Sequence, residues 1–351
     1  MNEDSYSQLL KSYSVEGELY ETLTDSTIRC FACGHRCKIL NGKSGVCKVR
    51  FNDSGRVLAP SGYVCSLNPD PIEKKPFFHV FPGSITLSFG MLGCDLKCSF
   101  CQNWDISQVL RDPNAEGRIS EISASDIVKV ALDMKLKVIT STYNEPLITS
   151  EWSKKIFVEA AKFGIHGAYV SNGNASKEVI DYLQPYVKYF KVDLKSFNAG
   201  NYRKLGGKLQ TVLDTIEYLN KNKFWVEIVT LLIPDYNNST EEITEMANFI
   251  KGISEFIPWH ITAFHPNYKM MDSRYTSAKD LLKAVKIGYE AGLKFVYTGN
   301  IPGGIQNYEN TYCYKCKTLL VERIGFRVKN NFLTSNNCPN CSAPIPGFWK
   351  V

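Results

Sequence analysis

Between residues 85 and 300 the chain alternates short β-branched or apolar runs with longer segments whose apolar residues recur at helical spacing. The runs Ile85–Phe89, Val138–Thr142, Gly167–Ser171, Tyr189–Leu194, Trp225–Leu232, His260–Phe264 and Lys294–Tyr297 predict strands. The segments Ala124–Met134, Glu151–Lys162, Lys177–Leu183, Leu209–Asn220, Thr240–Lys251 and Ala278–Ala291 predict helices. Such alternation implies parallel strands joined by crossover helices. Six or seven units suit an α/β fold, a partial or nearly closed parallel TIM-like (β/α) barrel; a doubly wound open sheet is the alternative.

The flanks have a different character. Residues 1–25 predict a polar helical or irregular lead-in, 26–60 a Cys- and Gly-rich knot, and 61–84 a Pro-rich connection containing Asp70–Pro76. From residue 301 the chain is rich in Gly, Pro and Cys, with strand-like runs at Thr318–Arg323 and Gly325–Lys329. The expected division is an N-terminal segment 1–84, a barrel 85–304 and a metal-ribbon tail 305–351, packed beside the barrel rather than in its mouth.

Composition narrows the classes. The 351 residues are 44% hydrophobic, enough for a sizeable core, and the net charge of +6 is too mild to imply nucleic acid. No block of Lys and Arg with interleaved aromatics argues for a nucleic-acid-binding module, which stays as the non-enzymatic alternative. No window of about 18 apolar residues predicts a membrane span. Met1–Gln8 lacks an apolar signal core, so the expected location is cytoplasmic.

Polar residues fall where a parallel barrel places its active site, at the C-terminal strand ends. They are a cysteine loop after the first strand, Asn144 and Glu145 after the second, Ser171 and Asn172 after the third, Asp193 and Lys195 on the fourth, His265 after the sixth, and Thr298, Gly299 and Asn300 after the seventh. Buried Asp, Glu and Lys are rare unless paired, so the set calls for a common ligand. Simple capping of loops and helices is the plainer alternative.

Eleven of the 12 cysteines lie in three groups, and in a cytosolic chain such groups indicate metal sites rather than disulfides. Cys65 is left over as a small buried hydrophobe. Cys94, Cys98 and Cys101 have C-x₃-C-x₂-C spacing. Three thiolates hold three irons of a [4Fe–4S] cubane and leave the fourth open to a chelating ligand. A zinc knuckle or free thiols are the alternatives, but structural zinc wants four ligands. Cys313-x₂-Cys316 and Cys338-x₂-Cys341 form two knuckles that read as a zinc ribbon, a fold staple or a docking module. Cys30-x₂-Cys33-x₃-Cys37-x₉-Cys47 can close one site, zinc or an auxiliary [4Fe–4S] cluster. Zinc is the first expectation, because nothing nearby points to redox tuning. His35 is expected beside this group rather than as a ligand.

With Phe100 before the third cysteine, the loop resembles the cluster motif of the radical S-adenosylmethionine (SAM) superfamily. The resemblance implies that the amino and carboxylate groups of SAM chelate the open iron. Asn144-Glu145-Pro146 stands where the family carries a Gly-Gly-Glu-like motif for the SAM amino group, without its glycines. Ser171-Asn172-Gly173 and Asp193-Leu194-Lys195 resemble motifs of pyruvate formate-lyase activating enzymes. There the Lys contacts SAM, and Asp and Thr help form a cation site, here matched by Asp193 and Ser171. His265 resembles an activase His that faces SAM. On this basis Asn144 and Glu145 accept from the ammonium, Lys195 and His265 meet the carboxylate, Ser171 and Asn172 meet the ribose, and Ile233, Phe264 and the Gly299–Gly304 turn wall the adenine. Cys30–Arg50, Asp70–Pro76, Tyr143–Pro146, Trp259-His260, Phe264–Pro266, Tyr297–Asn300 and the C-terminal cysteines further resemble the radical SAM enzymes of the AmmeMemoRadiSam system.

The function implied is reductive cleavage of SAM to a 5′-deoxyadenosyl radical for hydrogen abstraction from an unidentified substrate. An activase that installs a glycyl radical on a partner protein is the alternative within this chemistry. The implied partners are AMMECR1-like and Memo-like proteins and an external one-electron reductant.

Overall fold

A computed structural model of the protein describes residues 3–301, 303–305 and 307–350. Met1 and Asn2 of the lead-in, Pro302 of the glycine-rich turn, and Gln306 and Val351 of the tail lie outside the described residues.

The alternating region forms one sheet. Its strands are β1 (Ser66–Pro71), β2 (Ile85–Gly90), β3 (Val138–Ser141), β4 (His166–Ser171), β5 (Val187–Asp193), β6 (Trp225–Leu232), β7 (Trp259–Ala263) and β8 (Val296–Gly299). They lie in sequence order across an 8-stranded sheet. Strands β2 to β8 are all parallel, and β1 pairs antiparallel with β2. The edges β1 and β8 do not pair, so the barrel is open.

The crossover helices are α1 (Ala124–Asp133), α2 (Ser150–Ala161), α3 (Lys177–Leu183), α4 (Ala199–Leu205), α5 (Leu209–Lys221), α6 (Thr240–Ile253) and α7 (Ala278–Glu290). Ser123, Ser176, Ser239 and Ser277 each accept a peptide N–H in the first turn of the helix that follows. These caps satisfy donors that a helix start leaves open, and so fix where each helix begins. The apolar faces of the helices pack on the outward side of the sheet, in one continuous core that includes Ile127, Ile156, Ile180, Ile216, Ile250 and Leu281.

The stretch expected as a Pro-rich connection instead supplies the edge strand β1, which carries Pro69 and Pro71. Proline lacks a ladder donor and is confined to sheet edges, where one side of the strand needs none.

The N-terminal knot consists of two small sheets. Tyr20–Thr22, Ile28–Cys30 and Lys38–Ile39 form one; Ser14–Glu16, Arg56–Pro60 and Phe51–Asp53 form the other. The tail carries a hairpin of β9 (Leu319–Ile324) and β10 (Arg327–Asn331).

The tail does more than pack beside the barrel. Arg323 on β9 pairs with Glu73, just after β1, and both side chains are fully buried. Arg323 also donates to the carbonyls of Phe78 and Glu309. Phe348 exchanges backbone hydrogen bonds with the Val80 neighbourhood, its N–H to His79 O at 2.7 Å and its carbonyl from Phe81 N at 2.6 Å. Its ring packs on Tyr189 and Trp225, close to the N-terminal starts of β5 and β6. The tail thus floors the barrel at the end opposite the cysteine loop.

Candidate active site

The site grows from the C-terminal ends of the strands. After β2 the chain turns through Gly93, at φ +90, into the cysteine loop. A Cβ there would lie 2.6 Å from Val49 Cγ1 and 3.1 Å from the Cys47 carbonyl oxygen, so this close approach to the knot requires glycine. Side chains hold the loop from below. Gln108 Nε2 and Arg111 Nη1 donate to Leu96 O, and Arg111 Nη2 donates to Cys94 O at 2.8 Å. Phe100 packs edge-on to Tyr236 in an apolar cluster with Leu96, Cys98, Ile233 and Phe264.

After β3, Tyr143 adopts φ +73, rare for a side chain of this size. Its hydroxyl donates to Asp70 Oδ2, and Lys75 Nζ lies 4.3 Å from its ring centre. Beyond this turn Glu145 is buried. It accepts from Ser171 Oγ at 2.7 Å, Asn172 N at 2.7 Å and Leu147 N at 3.1 Å. Burial first, and the charge of Asp95 second, push its carboxyl up to about 8, against those hydrogen bonds. Among the described residues no cation pairs with it. A buried carboxylate so placed is matched to a cationic ligand group.

On β5, Lys191 and Asp193 share one face of the strand, as period-two alternation requires. Asp193 accepts from Lys191 Nζ and from Lys195 Nζ, the latter at 3.3 Å. The accessible 30% of the Asp193 side chain faces the cavity it lines. Burial opposes the charge on Lys195, yet Asp193 and then Cys98 hold its pKa well above the usual value. Cys98 itself is pushed up to about 12 by burial, with Lys195 pulling the other way. Leu96 N donates to Cys94 Sγ, and Cys101 Sγ lies 3.2 Å from Ser107 Oγ. The cysteine loop is thus set among donors and a cation that suit thiolates.

One cavity of about 470 Å³ joins these groups, a volume typical of small-molecule sites. It brings together Cys94, Cys98, Cys101, Asn144, Glu145, Asn172, Asp193 and Lys195. Ser171 stands behind Glu145 as a donor. Asn144 uses its side-chain oxygen to accept from Met91 N at 3.0 Å, which anchors the start of the cysteine loop. Ser171 and Asp193 share no partner, since one bonds Glu145 and the other two lysines. His265 is outside the lining; its Nε2 lies 2.8 Å from Asn300 O. Ile233 and Phe264 sit in the apolar layer behind the wall, whereas Gly299 and Asn300 reach the cavity.

Lys191 and Phe326 line the cavity without having been singled out from sequence, and Lys75 and His260, named there only within motif segments, line it too. The i, i+2 spacing of Lys191 and Asp193 carried that signal for Lys191. Phe326 could not have been found this way, because it reaches the cavity from the tip of the β9–β10 hairpin.

The C-terminal cysteines converge. The sulfurs of Cys313, Cys316, Cys338 and Cys341 all lie within 4.8 Å of one another. Cys313–Cys341 and Cys316–Cys338 are each 3.6 Å apart. This is a four-thiolate site for one metal ion.

An open parallel barrel with a three-cysteine loop and a buried acid at its strand ends defines a class of cofactor-dependent α/β protein, and comparison with known proteins identifies it. The model of the radical SAM superfamily matches residues 90–250. An uncharacterized protein of Methanocaldococcus jannaschii is 37% identical over 336 residues, 94% of this chain and 98% of its own length. The pyruvate formate-lyase-activating enzyme of Staphylococcus aureus is 24% identical over 60% of this chain and 88% of its own. A solved structure of Streptococcus suis SuiB bound to S-adenosylmethionine aligns over 66% of this chain and 54% of its own, with 16% identity and a TM-score of 0.48. Residues 90–250 are a radical SAM domain. That family implies a [4Fe–4S] cluster and SAM.

Proposed function

We propose that the protein holds a [4Fe–4S] cluster on Cys94, Cys98 and Cys101, binds SAM against it, and cleaves SAM reductively to abstract hydrogen from a substrate in the same cavity. The observation that carries this is the meeting, in one cavity, of three cysteines and a buried Glu145 that has no cationic partner among the described residues. A bound cluster with one open iron supplies the one-electron reduction that breaks a sulfonium carbon–sulfur bond and yields a 5′-deoxyadenosyl radical.

The chain's own groups do the rest. Glu145, fixed by Ser171 and Asn172, receives the ammonium of SAM as a charge-assisted acceptor. Lys195, kept protonated by Asp193, faces the SAM carboxylate and the cluster thiolates. Asn144 anchors the cysteine loop. The cavity beyond these residues runs along Lys191, His260, Lys75 and Phe326 and provides the space for substrate. Zinc in the C-terminal site completes the hairpin that carries Phe326.

An activase that installs a glycyl radical on a partner protein is the alternative favoured by similarity to the pyruvate formate-lyase-activating enzyme. Resemblance to the AmmeMemoRadiSam enzymes nominates AMMECR1-like and Memo-like proteins as partners. No helix among the described residues is long and apolar enough to cross a membrane.

The test is anaerobic reconstitution, reduction, and mass spectrometry for 5′-deoxyadenosine, with and without those partner proteins. Wild-type protein forms it, while Cys98→Ala does not. Equal yields from the two proteins would overturn the function proposed.

A further inference from the structure

The chain carries three cysteine groups, and the structure sorts them by spacing. The C-terminal four have sulfurs 3.6 Å apart in two pairs. A tetrahedral Zn–S site of 2.3 Å bonds has edges of about 3.8 Å, so this group fits one ion. No three of Cys94, Cys98 and Cys101 come within 4.8 Å, and no three of Cys30, Cys33, Cys37 and Cys47 do either. Ligands of a cubane bind separate irons and stand farther apart than ligands of one ion. The N-terminal four, like the three of the barrel loop, thus do not converge on one ion as the ribbon's four do.

They nevertheless lie together in the N-terminal knot. Cys30, Cys33 and Cys47 are buried and Cys37 half-buried. Cys30 N donates to Cys37 O at 2.9 Å, which closes the loop that carries the first three cysteines. Val46 N lies 3.5 Å from Cys37 Sγ. Donors of this kind stabilise cluster thiolates. Gly45 is buried and has no side chain to intrude; a Cβ there would lie 3.6 Å from Cys37 Sγ.

The two loops share a wall. Gly93 packs on the Cys47 carbonyl. Arg111 Nη2 donates both to Val46 O at 2.6 Å and to Cys94 O at 2.8 Å. His35 Nε2 donates to Asp95 O at 3.1 Å. Asp95 in turn accepts from Asn172 and Asn174.

We infer that Cys30, Cys33, Cys37 and Cys47 hold a second [4Fe–4S] cluster, next to the barrel cluster, rather than a zinc ion. Four thiolates leave it no open iron, so it binds neither SAM nor substrate. Its placement suits exchange of single electrons with the barrel cluster: one centre is oxidised as the other is reduced, and no atoms move. This placement rests on the function proposed above; the second cluster itself does not.

The test uses the full-length protein, reconstituted anaerobically with iron and sulfide. We expect about eight irons per chain, with about four left in Cys30→Ala/Cys33→Ala and about four in Cys94→Ala/Cys98→Ala/Cys101→Ala. Reduced wild-type protein should show electron paramagnetic resonance lines broadened by spin–spin coupling, sharpened in either variant. The barrel variant keeps the test decisive if the knot variant does not fold. Wild-type protein with about four irons and two zincs would overturn the inference, as would a barrel variant without iron. A barrel variant that kept every iron would instead refute the cluster assignment on which the proposed function rests.

Discussion

Arg50 and Glu151 form a two-pronged ion pair with almost no solvent access, Nη1 to Oε2 at 2.7 Å and Nη2 to Oε1 at 2.6 Å. The pair joins the cysteine knot to the helix that follows the Glu145 turn. Glu151 also accepts from the peptide N–H groups of Glu18 and Leu19, and Arg50 donates to Ile148 O. Removing Arg50 alone strands a buried carboxylate. Arg50→Met should therefore destabilise the protein by about 3–5 kcal/mol, and Arg50→Met/Glu151→Leu by much less. Denaturant unfolding of the three proteins checks this. Burial raises the Glu151 pKa, but Arg50 outweighs it and the net shift is down. The pair's contribution is thus present above the unfolded carboxyl pKa and lost as pH falls through the lower folded value.

Glu145 has the opposite sign. Its carboxyl, held up to about 8 by burial and then by Asp95, keeps its proton below that pH in the unliganded chain. Its favourable term for stability is present below the unfolded value and lost as pH rises through about 8. An ammonium ligand favours the ionised form. SAM affinity of the reconstituted protein should rise with pH toward about 8, with release of a proton on binding at neutral pH. Glu145→Gln should weaken binding by about 1.5–3 kcal/mol and flatten that profile. Calorimetry in buffers of different ionisation enthalpy measures both.

Ser107 is placed to tune the barrel centre. Its hydroxyl lies 3.2 Å from Cys101 Sγ and accepts from Gln108 Nε2, which leaves its proton for the sulfur. A donor to a cluster thiolate favours the reduced, more negative state. Ser107→Ala should retain the full iron content and lower the midpoint potential, read by a redox titration followed by electron paramagnetic resonance.

In the ribbon, Cys338→Ser should release one metal and make residues 307–350 sensitive to protease. A four-thiolate site contributes its binding energy to the local fold. Because that fold carries Arg323 and Phe326, the variant should also lose the buried pair with Glu73 while SAM affinity persists. Elemental analysis, limited proteolysis and calorimetry separate these effects.

Much of the barrel was legible because each strand and helix has its own periodicity. Predicted and observed ends differ by a residue or two at Val138–Ser141 and Ala278–Glu290. Strand β1 was hidden by Pro69 and Pro71, which look like a linker until the strand is known to lie at an edge. Helix α4 opens on Ala199-Gly200-Asn201, and the weak helix formers Gly200 and Asn201 blur its signal. The cysteine loop, Glu145 and Asp193 were visible as polar residues where strands end. The pairs Arg50–Glu151 and Arg323–Glu73 were not, because each joins segments far apart in sequence whose proximity only the packing creates. The same holds for Phe326, an exposed aromatic at a hairpin tip, which reaches the cavity only because the hairpin is set against the segment after β1.

The floor of the barrel has a consequence for biosynthesis. A ribosome releases β2 to β8 well before Phe348, yet Phe348 is what seals the strands' starting ends. A nascent chain with every strand in place still lacks the cover that Phe348 gives Tyr189 and Trp225. Cover of that end of the sheet is therefore deferred until the tail has emerged and folded back, so that a truncated product, however complete its sheet, leaves the aromatic starts of its strands bare.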